Sequence, residues 1–191
     1  MMIRKATAND AESIAPILML VLEKMVYKFI GETDFIKAKE FLTHFLKRKN
    51  NQYSYQNCFV AESGNEIIGV VNLYNGADLN RLRQPVLEHI HHYYSTDLHI
   101  ADETQAGEYY IDTISVRSSE QGKGIGSRML HQLIEEFTVK EKQTLGLLVD
   151  VNNPKAKKLY LKMGFECVGT KVLLGHNLDH LQFKSKGHIL V

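Results

Sequence analysis

The chain has 191 residues, of which 44% are hydrophobic and 24% are charged, and its formal net charge at pH 7 is +1. This size and balance predict one domain with a full hydrophobic core, spanning residues 1–191. The near-neutral charge gives no electrostatic reason to expect nucleic acid or an anionic membrane as a partner, and no apolar run reaches the roughly 18 residues of a membrane span.

The two cysteines, Cys58 and Cys167, are too few for a disulfide framework. They predict free thiols in a reducing compartment. The N-terminus, Met1-Met2-Ile3-Arg4-Lys5, runs into a polar segment, so we expect no signal peptide. These features together predict a cytoplasmic protein.

A strand and two helices are predicted first. Met2 to Ala6 is a short strand, and Thr7 can cap the helix that follows it. Pro16 lies inside the apolar stripe of this helix and predicts a kink or a later start. Thr33 can cap the second helix. Apolar residues at helical spacing mark the core faces of both.

A β-hairpin follows, with strands over residues 57–62 and 66–74 joined at Ser63-Gly64-Asn65. The next segment, residues 76–107, is longer than a simple connection and is interpreted as a variable insertion. A helix is predicted there over Gln84 to Tyr94. Four histidines crowd into this segment: His89, His91, His92 and His99. No cysteine joins them and only one pair has helical spacing, so we predict a solvated or substrate-facing surface and no metal site.

The central stretch reads as a strand, a glycine-rich turn and a helix. Residues 108–116 are rich in β-branched and aromatic residues, which favour a strand. Gly122, Gly124 and Gly126 follow at alternate positions, and residues 127–137 have helical apolar spacing. Glycines allow a tight turn, and a helix start presents unpaired N–H groups. Together they predict an anion site, most often one for phosphate.

The glycine spacing excludes two common phosphate motifs. Neither the P-loop pattern nor the dinucleotide pattern G-x-G-x-x-G fits. The pattern that fits is Gln121-x-x-Gly124-x-Gly126, which resembles the pyrophosphate loop of the GNAT superfamily of acyl-CoA-dependent N-acetyltransferases. A second segment, Asn153 to Phe165, resembles the family's N-x-x-A-x-x-L-Y-x-K-x-G-F pattern at every defined position. The resemblance is tight from Glu108 to Phe165, loose before residue 76 and absent over 76–107.

The remaining elements complete an α/β pattern. A strand over Thr144 to Val149 precedes a short helix that begins at Pro154 and ends at Gly164. Cys167 to Leu174 and His180 to Ser185 are the last two predicted strands. The fold class is therefore α/β, a single domain with a mixed, mainly antiparallel central sheet flanked by helices. The resemblance implies that the strands over 108–116 and 144–149 splay apart and admit the pantetheine arm of the cofactor.

The resemblance also implies acetyl transfer from acetyl-CoA, as cosubstrate, to a primary amine by direct attack. Backbone N–H groups near Ile114 and Val116 would hold the thioester and pantetheine, the loop amides would hold the pyrophosphate, and Asn153 would contact the pantetheine arm. Asn153 is also a simple helix cap, and the two roles are compatible. The cofactor-binding candidates are Ile114, Ser115, Val116, Gln121, Gly122, Lys123, Gly124, Ile125, Gly126, Ser127 and Asn153.

Three catalytic candidates follow. Tyr160 matches the family's general acid, and its alternative role is a core tyrosine. Glu108 and Asp112 alternate onto one strand face and are the carboxylate candidates for the general base, a position that the family does not fix. Asp112 has a structural alternative.

The acceptor is predicted from charge. Carboxylates cluster in and after the insertion and would attract a small cationic amine; they are Asp97, Asp102, Glu103 and Glu108. The alternative function is a non-catalytic acetyl-CoA-binding sensor or partner-binding module. The sequence leaves the oligomeric state open, a homodimer included.

Overall fold

The computed structural model describes residues 1–94, 98 and 100–184 and shows a seven-stranded sheet with helices on both faces. The strands are β1 (Met2–Lys5), β2 (Cys58–Ser63), β3 (Glu66–Asn75), β4 (Tyr109–Val116), β5 (Leu145–Asp150), β6 (Glu166–Leu173) and β7 (His176–Phe183). Their order is β1-β2-β3-β4-β5-β7-β6, and every neighbouring pair is antiparallel except β4 and β5. The predicted mixed, mainly antiparallel sheet is confirmed.

Two hydrophobic cores lie on the two faces of this sheet. The helices are α1 (Ala11–Ile30), α2 (Phe35–Leu46), α3 (Leu79–Tyr94), α4 (Ile125–Leu133) and α5 (Pro154–Lys162). Buried residues of α1, α2 and α3 pack together on one face. Buried residues of α4 and Tyr160 of α5 pack on the other face. No helix in the described part of the chain is long and apolar enough to cross a membrane.

Several predicted boundaries are corrected at helix starts. The N-cap of α2 is Asp34, not Thr33, because the Asp34 carboxylate accepts from the N–H groups of Ile36 and Lys37 at 2.9 and 3.0 Å. Helix α1 continues through Pro16, where only one backbone hydrogen bond has to be missing. Helix α3 begins five residues before the predicted start, with Pro85 inside it.

Two more elements differ from the prediction. Helix α4 starts at Ile125 and passes at Ile134–Lys140 into a π-helical segment. Strand β7 begins at His176 instead of His180. Asp97, His99 and Ser185, which the sequence analysis placed in the acidic cluster, the histidine group and the last strand, lie outside the described residues.

The sheet forks between β4 and β5. The two strands pair at only three positions, and the last pair is Ile111 with Leu147. Beyond it β5 pairs with β7 on its other side, from Leu148 opposite His180 to Asp150 opposite Leu178. The rest of β4 continues without β5, so the predicted splayed pair is present and opens a gap in the middle of the sheet.

Candidate active site

The glycine-rich loop presents free backbone donors at the start of α4. Gly122 and Gly124 have left-handed φ values of 79° and 77°, a conformation that favours glycine. Within the described residues, the backbone N–H groups of Gly122 through Ser127 donate to no protein acceptor. These amides and the positive end of the α4 dipole make an anion site of the kind that binds phosphate.

Side chains hold this loop against the end of β4. Gln121 Nε2 donates to the carbonyl of Val116 at 3.0 Å, so this side chain closes the loop onto the strand. Lys123 pairs with Glu120 at 2.9 Å on the exposed side. A Cβ atom on Gly126 would lie 3.9 Å from Ile114 and Val116, which places Gly126 directly above the end of β4.

The gap edge of β4 offers two further amides. Arg117 N–H bonds to the carbonyl of Ile68 on β3 at 2.9 Å. Because backbone direction alternates along a strand, the N–H groups of Val116 and Ile114 face away from β3 and into the gap. The Ser115 hydroxyl donates to the carbonyl of Ile17 at 2.7 Å and so fixes β4 to α1.

The helix α5 borders the gap from the other side. Asn153 is its N-cap, and its side chain accepts from Ala156 N–H at 3.2 Å. The cap role of Asn153 is therefore confirmed, and its pantetheine contact stays a prediction. The N–H groups of Ile114 and Val116 on the β4 edge are donors suited to the amide and thioester carbonyls of an acyl-CoA pantetheine arm.

Tyr160 combines features of both its predicted roles. Its ring is 9% exposed and packs against Phe165 with ring centroids 5.9 Å apart. No described residue accepts a hydrogen bond from its hydroxyl or donates one to it. Burial raises the pKa of Tyr160 to about 12, so the phenol keeps its proton at neutral pH. The hydroxyl is therefore protonated and, among the described residues, has no protein hydrogen-bond partner, so it is available to donate to a ligand.

A cavity of about 360 Å³ opens at the fork on the α1 face of the sheet. Its apolar wall comes from α1 and from the β6–β7 turn. Asp112 lines its inner end and is the first residue of β4 after the last pair with β5. The lining residues at the inner end are Gln52, Tyr53, Arg83, Glu103, Tyr110 and Asp112. Lys24 and Lys28 line the cavity from the exposed side of α1.

Asp112 belongs to a buried hydrogen-bond network. Its Oδ2 accepts from Gln52 Nε2 and from the Tyr74 hydroxyl, each at 2.9 Å. Glu103 Oε1 contacts the same two donors at 2.8 and 3.0 Å. Burial, and then the charge of Asp112, raises the pKa of Glu103 despite its ion pair with Arg83.

Glu108 is placed differently from Asp112. Its carboxylate is buried and accepts from Gln182, Thr104 and His180 at 2.7, 2.7 and 2.8 Å. Burial alone would raise its pKa, but these hydrogen bonds and the His180 charge outweigh burial and lower the pKa. Glu108 does not line the cavity. Of the two carboxylate candidates, only Asp112 faces the space where an acceptor could bind.

The carboxylates that were predicted to cluster in and after the insertion are placed differently in the structure. Asp102 is an exposed residue that pairs with Arg83 at 3.1 Å, while Glu103 and Glu108 are buried. The carboxylates that line the cavity are Glu103, Asp112 and Asp150. Glu103 and Asp112 lie at the inner end beside Arg83, whereas Asp150 is half-exposed and pairs with His176 at 3.0 Å.

Two histidines of the insertion, His89 and His92, pack against aromatic rings. His89 lies 4.3 Å from His44 and 4.5 Å from Tyr93, measured between ring centroids. The described residues contain no group of three or more His, Cys, Asp or Glu that could hold a metal ion.

Sequence analysis missed part of the site. Gln52 follows α2 in an irregular segment, and no local pattern marks it. Tyr74 reads as an ordinary strand residue. Arg83 precedes the predicted start of α3, and its buried pairing with Glu103 depends on where the insertion folds back. A polar residue in an otherwise apolar strand pattern, Asn72, was the one available signal that this region is a buried polar cluster.

Comparisons with known proteins agree with this geometry. The model of the acetyltransferase (GNAT) family matches residues 25–165. A crystal structure of an acetyltransferase is similar at 33% identity and TM-score 0.82, over 96% of this chain and 99% of that one. An N-acetyltransferase from Staphylococcus aureus Mu50 is similar at 25% identity and TM-score 0.80, over 96% and 100% of the two chains.

A more distant likeness concerns the fold alone. A mutant spermidine N-acetyltransferase from Vibrio cholerae is similar at 19% identity and TM-score 0.56, over 96% of this chain and 95% of that one. None of the curated proteins matches the chain.

Proposed function

The chain belongs to the GNAT family of acetyltransferases, and we propose that it moves the acetyl group of acetyl-CoA to a small primary amine bound in the cavity at the fork. The observation that carries this proposal is the position of Asp112. It lies where β4 leaves β5, with the cavity on one side and the amide-lined gap on the other. An amine held by Asp112 would face a thioester held in the gap.

The chemistry requires three things of the protein. An alkyl ammonium has a pKa near 10.4, so making the neutral amine at pH 7 costs about 4.6 kcal/mol. Asp112 accepts the proton that the ammonium loses. The N–H groups of Ile114 and Val116 support stabilisation of the negative oxygen that develops on the carbonyl. Tyr160 donates a hydrogen bond and then a proton to the departing thiolate, from the apolar core that Ile114 and Val116 also contact.

The shape and charge of the cavity define the acceptor class. Carboxylates at the inner wall favour an ammonium group, and the apolar wall from α1 and the β6–β7 turn favours a short carbon body. Lys24 and Lys28 on the outer side disfavour a second cation there. We therefore expect a small amine that enters as a monocation.

A thiol-release assay on the purified protein tests the proposal. Acetyl-CoA is offered with alkyl amines, aralkyl amines, diamines, spermidine, amino acids and a peptide with a free N-terminus. We expect amine-dependent thiol release with an acetylated product of the amine by mass spectrometry, and a KM for the amine that rises with salt. Acetyl-CoA binding without thiol release on any amine would favour the sensor function instead. A best substrate that is neutral or anionic would contradict the cationic acceptor.

A further inference from the structure

The cavity contains a second carboxylate that shares the hydrogen-bond donors of Asp112. Gln52 Nε2 and the Tyr74 hydroxyl each lie within hydrogen-bond distance of both Glu103 Oε1 and Asp112 Oδ2. The two carboxylates are therefore at most about two hydrogen-bond lengths apart. Like charges at such a separation do not titrate independently.

The number of hydrogens available for the contacts around the two carboxylates depends on whether the pair carries a proton. Five contacts join these four groups, including one of 3.1 Å between Gln52 Nε2 and the Tyr74 hydroxyl. The amide supplies two hydrogens and the phenol supplies one. With both carboxylates ionised, contacts remain that no hydrogen can fill. One proton on the carboxylate pair brings the supply to four hydrogens for five contacts, so the singly protonated pair leaves fewer contacts unfilled than the doubly ionised pair does.

The fold holds Glu103 in place from several sides. Arg83 pairs with its other oxygen and also donates to the carbonyl of Ile100 at 3.1 Å. The segment after Glu103 lies directly against Gly76, where a Cβ atom would overlap the Gln105 carbonyl and the Thr104 hydroxyl. Gly76 N–H also bonds to the Glu108 carbonyl at 2.8 Å. These contacts hold the Glu103 carboxylate beside Asp112.

We propose that Glu103 and Asp112 act as one shared proton acceptor for the ammonium group of the substrate, with Glu103 as a positioning residue that works through Asp112. This inference rests on the proposed function and identifies the general base of the reaction. The doubly ionised pair attracts the ammonium and takes one of its protons, which yields the singly protonated pair. The neutral amine then attacks the carbonyl carbon of the thioester.

The proton balance closes without another reactant. The C–N bond forms and the C–S bond breaks, and the electron pair of the latter leaves on sulfur. The second proton of the nitrogen goes to the thiolate by way of Tyr160. The proton on the carboxylate pair is released to solvent after the reaction. Burial and the nearby charge of Asp112 raise the pKa of Glu103, which makes Glu103 a stronger base than an ordinary carboxylate, as proton removal from an ammonium requires.

The first test is the pH dependence of kcat/KM, measured with the best amine from the panel. In the wild type we expect kcat/KM to rise with pH through an inflection well above the ordinary carboxylate pKa. In Glu103→Gln we expect kcat/KM to fall by roughly 10-fold to 100-fold and the inflection to move to lower pH, because the second carboxylate charge is then absent. Glu88→Gln, an exposed carboxylate-to-amide change on α3, is the matched control and keeps the wild-type profile. An unchanged inflection in folded Glu103→Gln overturns the proposal.

The second test needs neither an amine nor turnover. Infrared spectroscopy of the wild-type protein detects the C=O stretch of a protonated carboxyl group, and we expect this band near neutral pH and its loss at higher pH. The band is absent from Glu103→Gln and from Asp112→Asn, and it persists in Glu88→Gln. A wild-type protein without the band at any pH above the ordinary carboxylate range contradicts the shared proton. If no amine is acetylated while the band behaves as expected, the proposed function fails and the carboxylate pair stands.

Discussion

The roles of the individual side chains follow from what they contact and from how completely their hydrogen bonds are satisfied. Glu108 has three partners, a lowered pKa and no access to the cavity, which is the environment of a structural carboxylate. Asp112 is half-buried and lines the cavity. Tyr160 lacks a hydrogen-bond partner in the described chain, which leaves its hydroxyl available to a ligand.

Tyr160→Phe tests the proposed acid at this scale. The substitution keeps the ring that packs on Phe165 and breaks no hydrogen bond of the described structure, so the free energy of unfolding should change little. We expect kcat to fall by roughly 100-fold or more, the scale of a positioned acid, with the Kd of acetyl-CoA nearly unchanged. Tyr93→Phe, on an exposed ring of α3, is the control. A kcat within a factor of two of wild type, with chemistry rate-limiting, would assign Tyr160 to the core alone.

At the scale of elements, the site is assembled where two strands part and two helices begin. The loop before α4 turns through two left-handed glycines and leaves its amides free, and the fork in the sheet leaves the β4 edge unpaired. Helix α1 fixes β4 through the Ser115 hydroxyl and also forms a wall of the cavity. The free amides at the gap and the inner end of the cavity are therefore both placed by one strand, β4.

Substitutions at Gly126 test the anion site at the start of α4. A Cβ there meets Ile114 and Val116 at an ordinary 3.9 Å, and the residue needs no left-handed φ, so the fold should accept Gly126→Ala. Gly126→Glu adds a negative charge above the β4 end and should abolish acetyl-CoA binding measured by calorimetry. Gly124→Glu should do so too, with added strain from its φ of 77°. Equal acetyl-CoA affinity in wild type and both glutamate variants would refute the phosphate-loop assignment.

The contact between α2 and α3 predicts a pH effect on stability. Burial, followed by the charges of Arg48 and His89, lowers the pKa of His44 to about 4. The unfolded chain, with a histidine pKa near 6.5, binds this proton more readily than the folded chain does. The free energy of unfolding should therefore fall as pH drops from about 6.5 to about 4.

His44→Phe keeps an aromatic ring against Phe45 and His89 without the titrating group. Chemical denaturation across this pH range should show a shallower loss of stability in His44→Phe than in wild type. His131→Phe, at an exposed site on α4, serves as the control and should follow the wild type. Parallel curves for His44→Phe and wild type would show that the half-buried ring pair does not contribute to the pH dependence.

Across the whole molecule, the sequence predicts what is local and misses what is assembled from distant segments. The run from β4 through α5 carries its own signals, namely β-branched residues, glycine spacing and the Asn153–Pro154 helix start, so strand, loop and helix were all predicted there. The acid network joins Gln52, Tyr74, Glu103 and Asp112 from four separate segments. No periodicity or spacing connects such residues, because only the folded topology brings them together.

In the proposed function, an amine loses its proton at Asp112 and accepts the acetyl group at the fork. The most direct measurement is kcat/KM for the best amine in Asp112→Asn, beside the Kd of acetyl-CoA by calorimetry and the control Asp78→Asn, an exposed carboxylate-to-amide change away from the cavity. We predict that kcat/KM falls by roughly 100-fold or more in Asp112→Asn with the Kd unchanged, and that Asp78→Asn matches wild type. A folded Asp112→Asn protein that acetylates the amine at the wild-type rate would contradict this prediction.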